Sequence, residues 1–189
     1  MSAAPNQIEI LQELLQADDE RMRILRHVSY LALPDCWVGA GFVRSLVWDH
    51  GHGLKPQPPA GDVDVVWFGP ETGTQDADRL FEAQLRHRAP TVLWSVKNQG
   101  RMHKVNNDKP YTSTALAMQH WPETATAVGV RLGKDRVEIL APFGLNDLFD
   151  MIVRPTPAFE GRQSVIVERI HNKRWLERWP KLKVQLTNH

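Results

Sequence analysis

Two aspartates separated by one residue begin an apolar segment of this 189-residue chain, in Gly61-Asp62-Val63-Asp64-Val65-Val66. Residues 63–68 are rich in β-branched side chains and predict a strand, in which alternate side chains share one face. Asp62 and Asp64 should therefore lie on one face, while the residues between and after them point into the core. Like charges about 7 Å apart gain nothing structurally, whereas Mg²⁺ binds one or two carboxylates together with substrate phosphates. The pair predicts a divalent-metal site for phosphoryl chemistry, with a solvated strand end as the alternative.

A glycine turn precedes this strand. Gly39-Ala40-Gly41 lies between residues 36–38, which predict a short strand, and residues 42–48, which predict a helix. Glycine lets a phosphate approach the backbone closely, and the first N–H groups of a helix attract anions. Arg44 follows about one helical turn later and would add positive charge; in the alternative interpretation, it is a surface residue after a tight turn. The common Gly-x-Gly-x-x-Gly and Gly-Lys-Ser/Thr phosphate motifs are absent here.

A third carboxylate is expected if the site holds two metals or uses a base. Glu138 is a single acid within the apolar segment 136–140, and an acid inside a buried strand is costly unless it is paired or coordinated. The alternative is an edge strand in which Glu138 faces water. We expect Asp62, Asp64 and Glu138 to converge on one cleft beside the glycine turn.

The polar and basic segment 97–103 follows a predicted strand at 91–96. Loops held by a rigid sheet commonly carry binding residues. The segment is therefore predicted to bind the triphosphate or the acceptor of a transfer reaction, and the alternative is a hydrogen-bonded loop that ties the domain together. Its candidate substrate-binding residues are Lys97, Asn98, Arg101 and His103.

A basic helix is predicted over residues 162–178. It carries five Lys and Arg side chains, Arg162, Arg169, Lys173, Arg174 and Arg178. The simplest interpretation is a solvated face, and the sharper one is a nucleic-acid contact by phosphate neutralisation. The whole chain has 23 Lys and Arg against 22 Asp and Glu, a net charge of +1. Composition therefore gives no strong nucleic-acid signal.

The alternation of helices and strands predicts an α/β or α+β fold, with a mixed sheet flanked by helices. We expect one domain over 1–189, with N-terminal helices at 7–32, a core at 36–151 and a C-terminal helical segment at 160–180. Cys36 is the only cysteine, so it is expected to be a packed, inert thiol. Neither a signal peptide nor an apolar stretch of about 20 residues is present, which predicts a cytoplasmic protein without a membrane partner.

The order of these elements resembles the polymerase-β-type nucleotidyltransferase superfamily: strand, Gly-x-Gly turn, helix with arginine, loop and Asp-x-Asp strand. Residues 38–44 are similar to the beginning of the tRNA CCA-adding enzymes. The resemblance is closest to a mainly bacterial nucleotidyltransferase-like family and covers roughly residues 8–180. Four segments carry it, namely 94–103, 121–127, 141–149 and 173–175.

The resemblance implies a polymerase-β-type fold and a defined reaction. A nucleoside monophosphate would pass from a nucleoside triphosphate to an acceptor hydroxyl or phosphate, with Mg²⁺ or Mn²⁺ as cofactor and pyrophosphate as leaving group. Gly39 and Gly41 would line the phosphates, Asp62 and Asp64 would bind metal, and Glu138 would be the third strand carboxylate. The acceptor is not implied, and a small molecule, a protein or an RNA end all fit. The alternative function is a catalytically silent nucleotide- or RNA-binding module on the same fold.

Overall fold

A computed structural model describes residues 6–59, 61–69 and 75–186 of the chain. Its centre is a five-stranded sheet of β1 (Trp37–Gly39), β2 (Val63–Trp67), β3 (Trp94–Asn98), β4 (Gly129–Leu132) and β5 (Val137–Leu140). The strands lie in the order β3-β2-β1-β4-β5, and only the β2–β3 pair of this sheet is parallel. The predicted fold class, a mixed sheet flanked by helices, is therefore correct.

The helices pack around this sheet, and several begin with a side-chain cap. Asn6, Asp18 and Ser113 accept hydrogen bonds from the first turns of α1, α2 and α6. No helix in the described ranges is long and apolar enough to cross a membrane. The helices are α1 (Gln7–Gln16), α2 (Asp19–Ser29), α3 (Gly41–Gly51), α4 (Gln75–Arg88), α5 (Met102–Asn106), α6 (Thr114–Met118), α7 (Asn146–Phe149), α8 (Gln163–Asn172) and α9 (Trp175–Arg178).

The alternation predicted for β2 is confirmed. Val63, Val65 and Trp67 are buried in the main hydrophobic core. Asp62 is exposed and Asp64 is half-buried, so the polar side chains leave the core face. Strand β2 thus presents a carboxylate on the face opposite the core.

The C-terminal segment departs from the single helix predicted over 162–178. Arg174 takes a left-handed conformation with φ 51°, and this residue separates α8 from α9. After the turn, the buried Trp175 and Trp179 rings meet Trp48 of α3 edge to face, with centroids 5.4 and 5.2 Å away. A continuous helix is interrupted because the chain turns there to pack α9 against α3.

A buried carboxylate also stabilises the contact between α9 and α3. Asp49 of α3 is fully buried and accepts hydrogen bonds from the Arg178 guanidinium and from Trp179 Nε1. Beyond α9, strand β7 (Lys183–Val184) pairs in parallel with β6 (Ile152–Val153). Contacts with Arg44, Trp48 and Asp49 anchor the C-terminal segment to α3, and strand pairing anchors it to β6.

Candidate active site

The sheet register places Asp64 beside the glycine turn. Gly39, the last residue of β1, pairs with Asp64 of the antiparallel strand β2 on one side and with Gly129 of β4 on the other. Neighbouring strands are about 4.8 Å apart. The turn that follows Gly39 and the carboxylates of β2 therefore lie at the same end of these two strands.

Asp64 lies in a partly desolvated and electrostatically mixed environment. Burial raises the pKa of Asp64 to about 6, and the neighbouring charge of Asp62 acts in the same direction. The positive charges of Lys173 and Arg44, and a hydrogen bond with the Ser95 side chain, oppose this rise. The charged form of Asp64 is disfavoured beside Asp62, and a bound divalent cation would stabilise it. The cation would take its remaining ligands from phosphate oxygens or water.

The glycine turn has a strained backbone and an open helix end. Ala40 has φ 54° and ψ −127°, a conformation that L-residues rarely adopt. Such strain clusters at functional sites, where the surrounding structure maintains it. Helix α3 begins here without a side-chain cap, as do α5, α7, α8 and α9. Its first N–H groups therefore offer a position for an anion next to the aspartates.

The two glycines of the turn differ in their surroundings. A Cβ atom at residue 39 would lie 3.0 Å from the Val128 carbonyl oxygen and 3.1 Å from Cη2 of Trp121. Packing therefore excludes a side chain at Gly39. A Cβ atom at residue 41 would meet only Nη2 of Arg44, at an ordinary contact distance of 3.5 Å. A small side chain at residue 41 would thus contact Arg44 rather than tightly packed groups.

Arg44 lies behind the turn rather than on the surface. Its guanidinium carbon is 4.3 Å from the Trp175 ring centroid and 5.1 Å from that of Trp48. Its Nη1 donates to Thr126 Oγ1 at 3.1 Å, while Nε has no partner among the described residues. Burial lowers the pKa of Arg44 to about 10, which still leaves it charged at neutral pH. The residue therefore supplies a buried positive charge close to Gly41.

Glu138 does not join the aspartates, and its prediction as the third carboxylate is wrong. It lies on the edge strand β5, where its carboxylate forms an ion pair of 2.7 Å with Arg131, its cross-strand neighbour. From β2 to β5 the sheet spans three strand spacings, about 14 Å. Metal coordination was predicted because an unpaired carboxylate inside a buried strand is costly. Glu138 is half-exposed and paired with Arg131, so it carries no such cost. Within the described residues, no three His, Cys, Asp or Glu side chains are grouped to hold a metal ion.

The polar segment 97–103 lies at the other end of the strands. In the parallel β2–β3 pair, Asp64 is level with Ser95 and Trp67 is level with Asn98. Asn98 is thus three residues, about 10 Å, beyond the level of the carboxylate. The structure does not bring this segment to the aspartates.

The side chains of segment 97–103 already have structural partners. The carboxylate of Asp78 on α4 accepts hydrogen bonds from the Asn98 backbone N–H and forms an ion pair with Arg101. Asn98 Oδ1 accepts from the Gly100 N–H, Lys97 pairs with Glu82, and His103 Nδ1 lies within hydrogen-bond distance of the Gly100 carbonyl. These contacts are those expected of the alternative interpretation, a hydrogen-bonded loop that ties the domain together. A role of the segment in substrate binding stays a prediction.

The C-terminal segment also contributes to this site, which local sequence patterns did not predict. Lys173 lies near enough to Asp64 for its charge to act on the carboxylate, and Trp175 covers Arg44. Arg169 pairs with the buried Glu123, with Nε 2.6 Å from Oε1. Glu123, Lys173 and Trp175 fall within segments 121–127 and 173–175, which carry the family resemblance. Their place in these segments was the sequence signal that could have indicated a role at the site.

Comparisons with known proteins identify the family and the fold. The sequence matches a nucleotidyltransferase family over residues 26–184. The chain belongs to this family. A solved NMR structure described as a CCA-adding enzyme head domain is 35% identical, with a TM-score of 0.83 over 96% of this chain and 97% of that one. The expected enzyme class and the polymerase-β-type nucleotidyltransferase fold are thereby confirmed.

This nucleotidyltransferase also shares its fold with longer CCA-adding enzymes. One, solved with ATP, is 16% identical, with a TM-score of 0.56 over 93% of this chain and 42% of that one. The Thermotoga maritima enzyme complexed with tRNA is 15% identical, with a TM-score of 0.60 over 94% and 42%. The chain therefore spans less than half the length of these enzymes. None of the curated proteins matches the sequence.

Proposed function

We propose that this nucleotidyltransferase transfers a nucleoside monophosphate from a nucleoside triphosphate to an acceptor hydroxyl or phosphate, with Mg²⁺ or Mn²⁺ held by Asp62 and Asp64. The observation that carries the proposal is the position of Asp64 opposite Gly39, beside the uncapped N-terminus of α3. Ligands for a cation and N–H groups for a phosphate lie side by side there. Related folds solved with ATP and with CTP support a nucleotide as the substrate class.

The reaction exchanges one bond at the α-phosphorus of the nucleotide. An acceptor oxygen forms a bond to that phosphorus while the bond to the pyrophosphate oxygen breaks, and an acceptor hydroxyl releases its proton to water. A divalent cation, when bound, supplies charge neutralisation to the attacking and leaving oxygens. Asp62 and Asp64 hold that cation, the glycine turn orients the triphosphate, and the buried Arg44 adds a positive potential behind it.

Three classes of acceptor fit a site whose Asp62 is exposed to solvent. They are a small molecule, a protein side chain and an RNA end. The related fold solved with tRNA supports the RNA end as the first acceptor to test.

A catalytically silent binding module is the second candidate function. It is favoured by one observation, that no third carboxylate joins Asp62 and Asp64 in the part of the chain described. Such a module would bind a nucleotide without turnover. Its binding would not depend on Mg²⁺ and would persist in the Asp64→Asn variant.

Incubation with α-labelled nucleoside triphosphates, Mg²⁺ or Mn²⁺ and fractionated cell extract tests the proposal. We expect labelled product with the wild type and with Asp76→Asn, which removes an exposed carboxylate of α4. Asp64→Asn should give no product. Tight nucleotide binding without transfer, unchanged by a chelator and by Asp64→Asn, would support the binding module instead.

A further inference from the structure

The five Lys and Arg side chains of segment 162–178 fall into two groups. Within the described residues, Lys173 has no hydrogen bond or ion pair with a protein group, and its side chain is exposed. The four arginines of the segment all have such partners. They pair as Arg162 with the Ala158 carbonyl, Arg169 with Glu123, Arg174 with Glu177, and Arg178 with Asp49. Arg169 and Arg178 thus pair with buried carboxylates, whereas Arg162 and Arg174 are exposed and make local surface contacts. Lys173 remains as an exposed cation without such a partner.

That cation lies at the candidate active site. Lys173 is two residues before Trp175, whose ring packs against Arg44, and Arg44 Nη2 reaches to 3.5 Å from the Cβ position of Gly41. Burial raises the pKa of Asp64, and the Lys173 charge acts against that rise. Within the described residues the Lys173 ammonium forms no ion pair within 4.0 Å, so it is available to a ligand bound beside Arg44 and the glycine turn.

The charges around the turn leave positive potential for an anion once a cation is bound. Arg169 and Glu123 neutralise each other in their ion pair. A divalent cation would neutralise Asp62 and Asp64. Arg44 and Lys173 then remain as uncompensated positive charges beside the open end of α3. This arrangement suits a polyphosphate, which carries several negative charges.

We propose, building on the function proposed above, that the Lys173 ammonium binds the phosphate groups of the nucleoside triphosphate and stays bound to pyrophosphate as it leaves. The exposed, flexible lysine stem can reach the ligand, whereas the buried Arg44 is fixed between two tryptophan rings. Negative charge grows on pyrophosphate as its bond to the α-phosphorus breaks. A cation at that position stabilises the transition state more than the ground state.

Binding of inorganic tripolyphosphate to the full chain, measured by titration calorimetry in Mg²⁺, tests the proposal. Lys173→Ala should bind about tenfold more weakly, since a charge-assisted contact is lost. Lys173→Arg should keep most of the affinity. Lys183→Ala is the matched control, because Lys183 is an exposed lysine of the same C-terminal region, and it should bind like the wild type. Equal binding by Lys173→Ala and the wild type, or equal weakening by Lys183→Ala, would overturn the proposal.

The nucleotide-transfer assay separates this proposal from the one it rests on. Weaker tripolyphosphate binding by Lys173→Ala, in a protein that transfers no nucleotide, supports the anion site and rejects the transferase function. Transfer by the wild type with unchanged KM and kcat in Lys173→Ala rejects the role of Lys173 and leaves the transferase function standing. Because Lys173 is exposed, the variant should keep the wild-type circular dichroism spectrum and thermal midpoint.

Discussion

The guanidinium carbon of Arg44 lies 4.3 Å from the ring centroid of Trp175, which joins helix α3 to the C-terminal segment through a buried contact. Trp48 contacts the same guanidinium at 5.1 Å and meets Trp175 edge to face. Because α3 begins at the glycine turn, the C-terminal segment supports the candidate site from behind.

Replacement of Trp175 by alanine should therefore affect both stability and ligand binding. We expect the free energy of unfolding to fall by about 3–5 kcal/mol, the usual loss for a buried tryptophan. Nucleotide affinity should fall too, since Arg44 loses its support. Urea unfolding and nucleotide titration measure the two effects, with the milder Trp175→Phe used if the alanine variant does not fold. Leu176→Ala, at a neighbouring position that is 45% exposed, is the control, and equal losses in both variants would contradict this account.

Replacement of Asp64 by asparagine should abolish transfer and yet stabilise the metal-free protein at neutral pH. The folded-state pKa of Asp64 is raised from 3.8 to about 6, chiefly by burial, so its ionisation between these values lowers stability as the pH rises. Asparagine cannot ionise. The variant should therefore gain about 1–3 kcal/mol in free energy of unfolding near pH 7.5 and nothing from this source near pH 4.

Urea unfolding at the two pH values, with chelator present, checks the Asp64 prediction. Excess Mg²⁺ at the higher pH serves as the control, because a bound ligand stabilises only the protein that binds it. The wild type should gain stability from Mg²⁺ and Asp64→Asn should not. A stability difference that does not change with pH would argue against the raised pKa.

The two glycines of the turn should respond differently to alanine. Gly39→Ala forces a Cβ to 3.0 Å from a backbone carbonyl, so we expect a loss of about 1–3 kcal/mol in stability. Gly41→Ala meets only a 3.5 Å contact, so its stability should match the wild type while its nucleotide affinity falls. Thermal unfolding and nucleotide titration of both variants test this contrast. Full nucleotide affinity in a folded Gly41→Ala protein would remove that residue from the site.

Glu138→Gln should leave transfer within about twofold of the wild type, because Glu138 lies about 14 Å across the sheet from the metal ligands. Loss of its half-exposed ion pair with Arg131 should cost at most about 1 kcal/mol. Steady-state kinetics and thermal unfolding measure these effects, with Asp64→Asn as the inactive reference. A tenfold or greater loss of kcat in Glu138→Gln would return the residue to the catalytic site.

Local periodicity was enough to place the carboxylate pair and the glycine turn. The alternation along β2 puts Asp62 and Asp64 away from the core, because successive side chains of any strand point to opposite faces. The Gly39–Gly41 turn is likewise local, since it joins a strand directly to the helix that follows it. Sequence therefore determined which residues form the carboxylate pair and the open helix end.

The positions of Glu138 and Lys173 relative to Asp64 depended on contacts between distant parts of the chain. Glu138 follows an apolar pattern like that of β2, but only the strand order β3-β2-β1-β4-β5 shows that it lies at the far edge. Lys173 comes more than a hundred residues after Asp64, and its charge acts on that carboxylate because the chain turns at Arg174 to bury Trp175 against α3. Periodicity fixes which face a side chain occupies, whereas strand order and helix docking follow from the packing of the whole core, which no single spacing encodes.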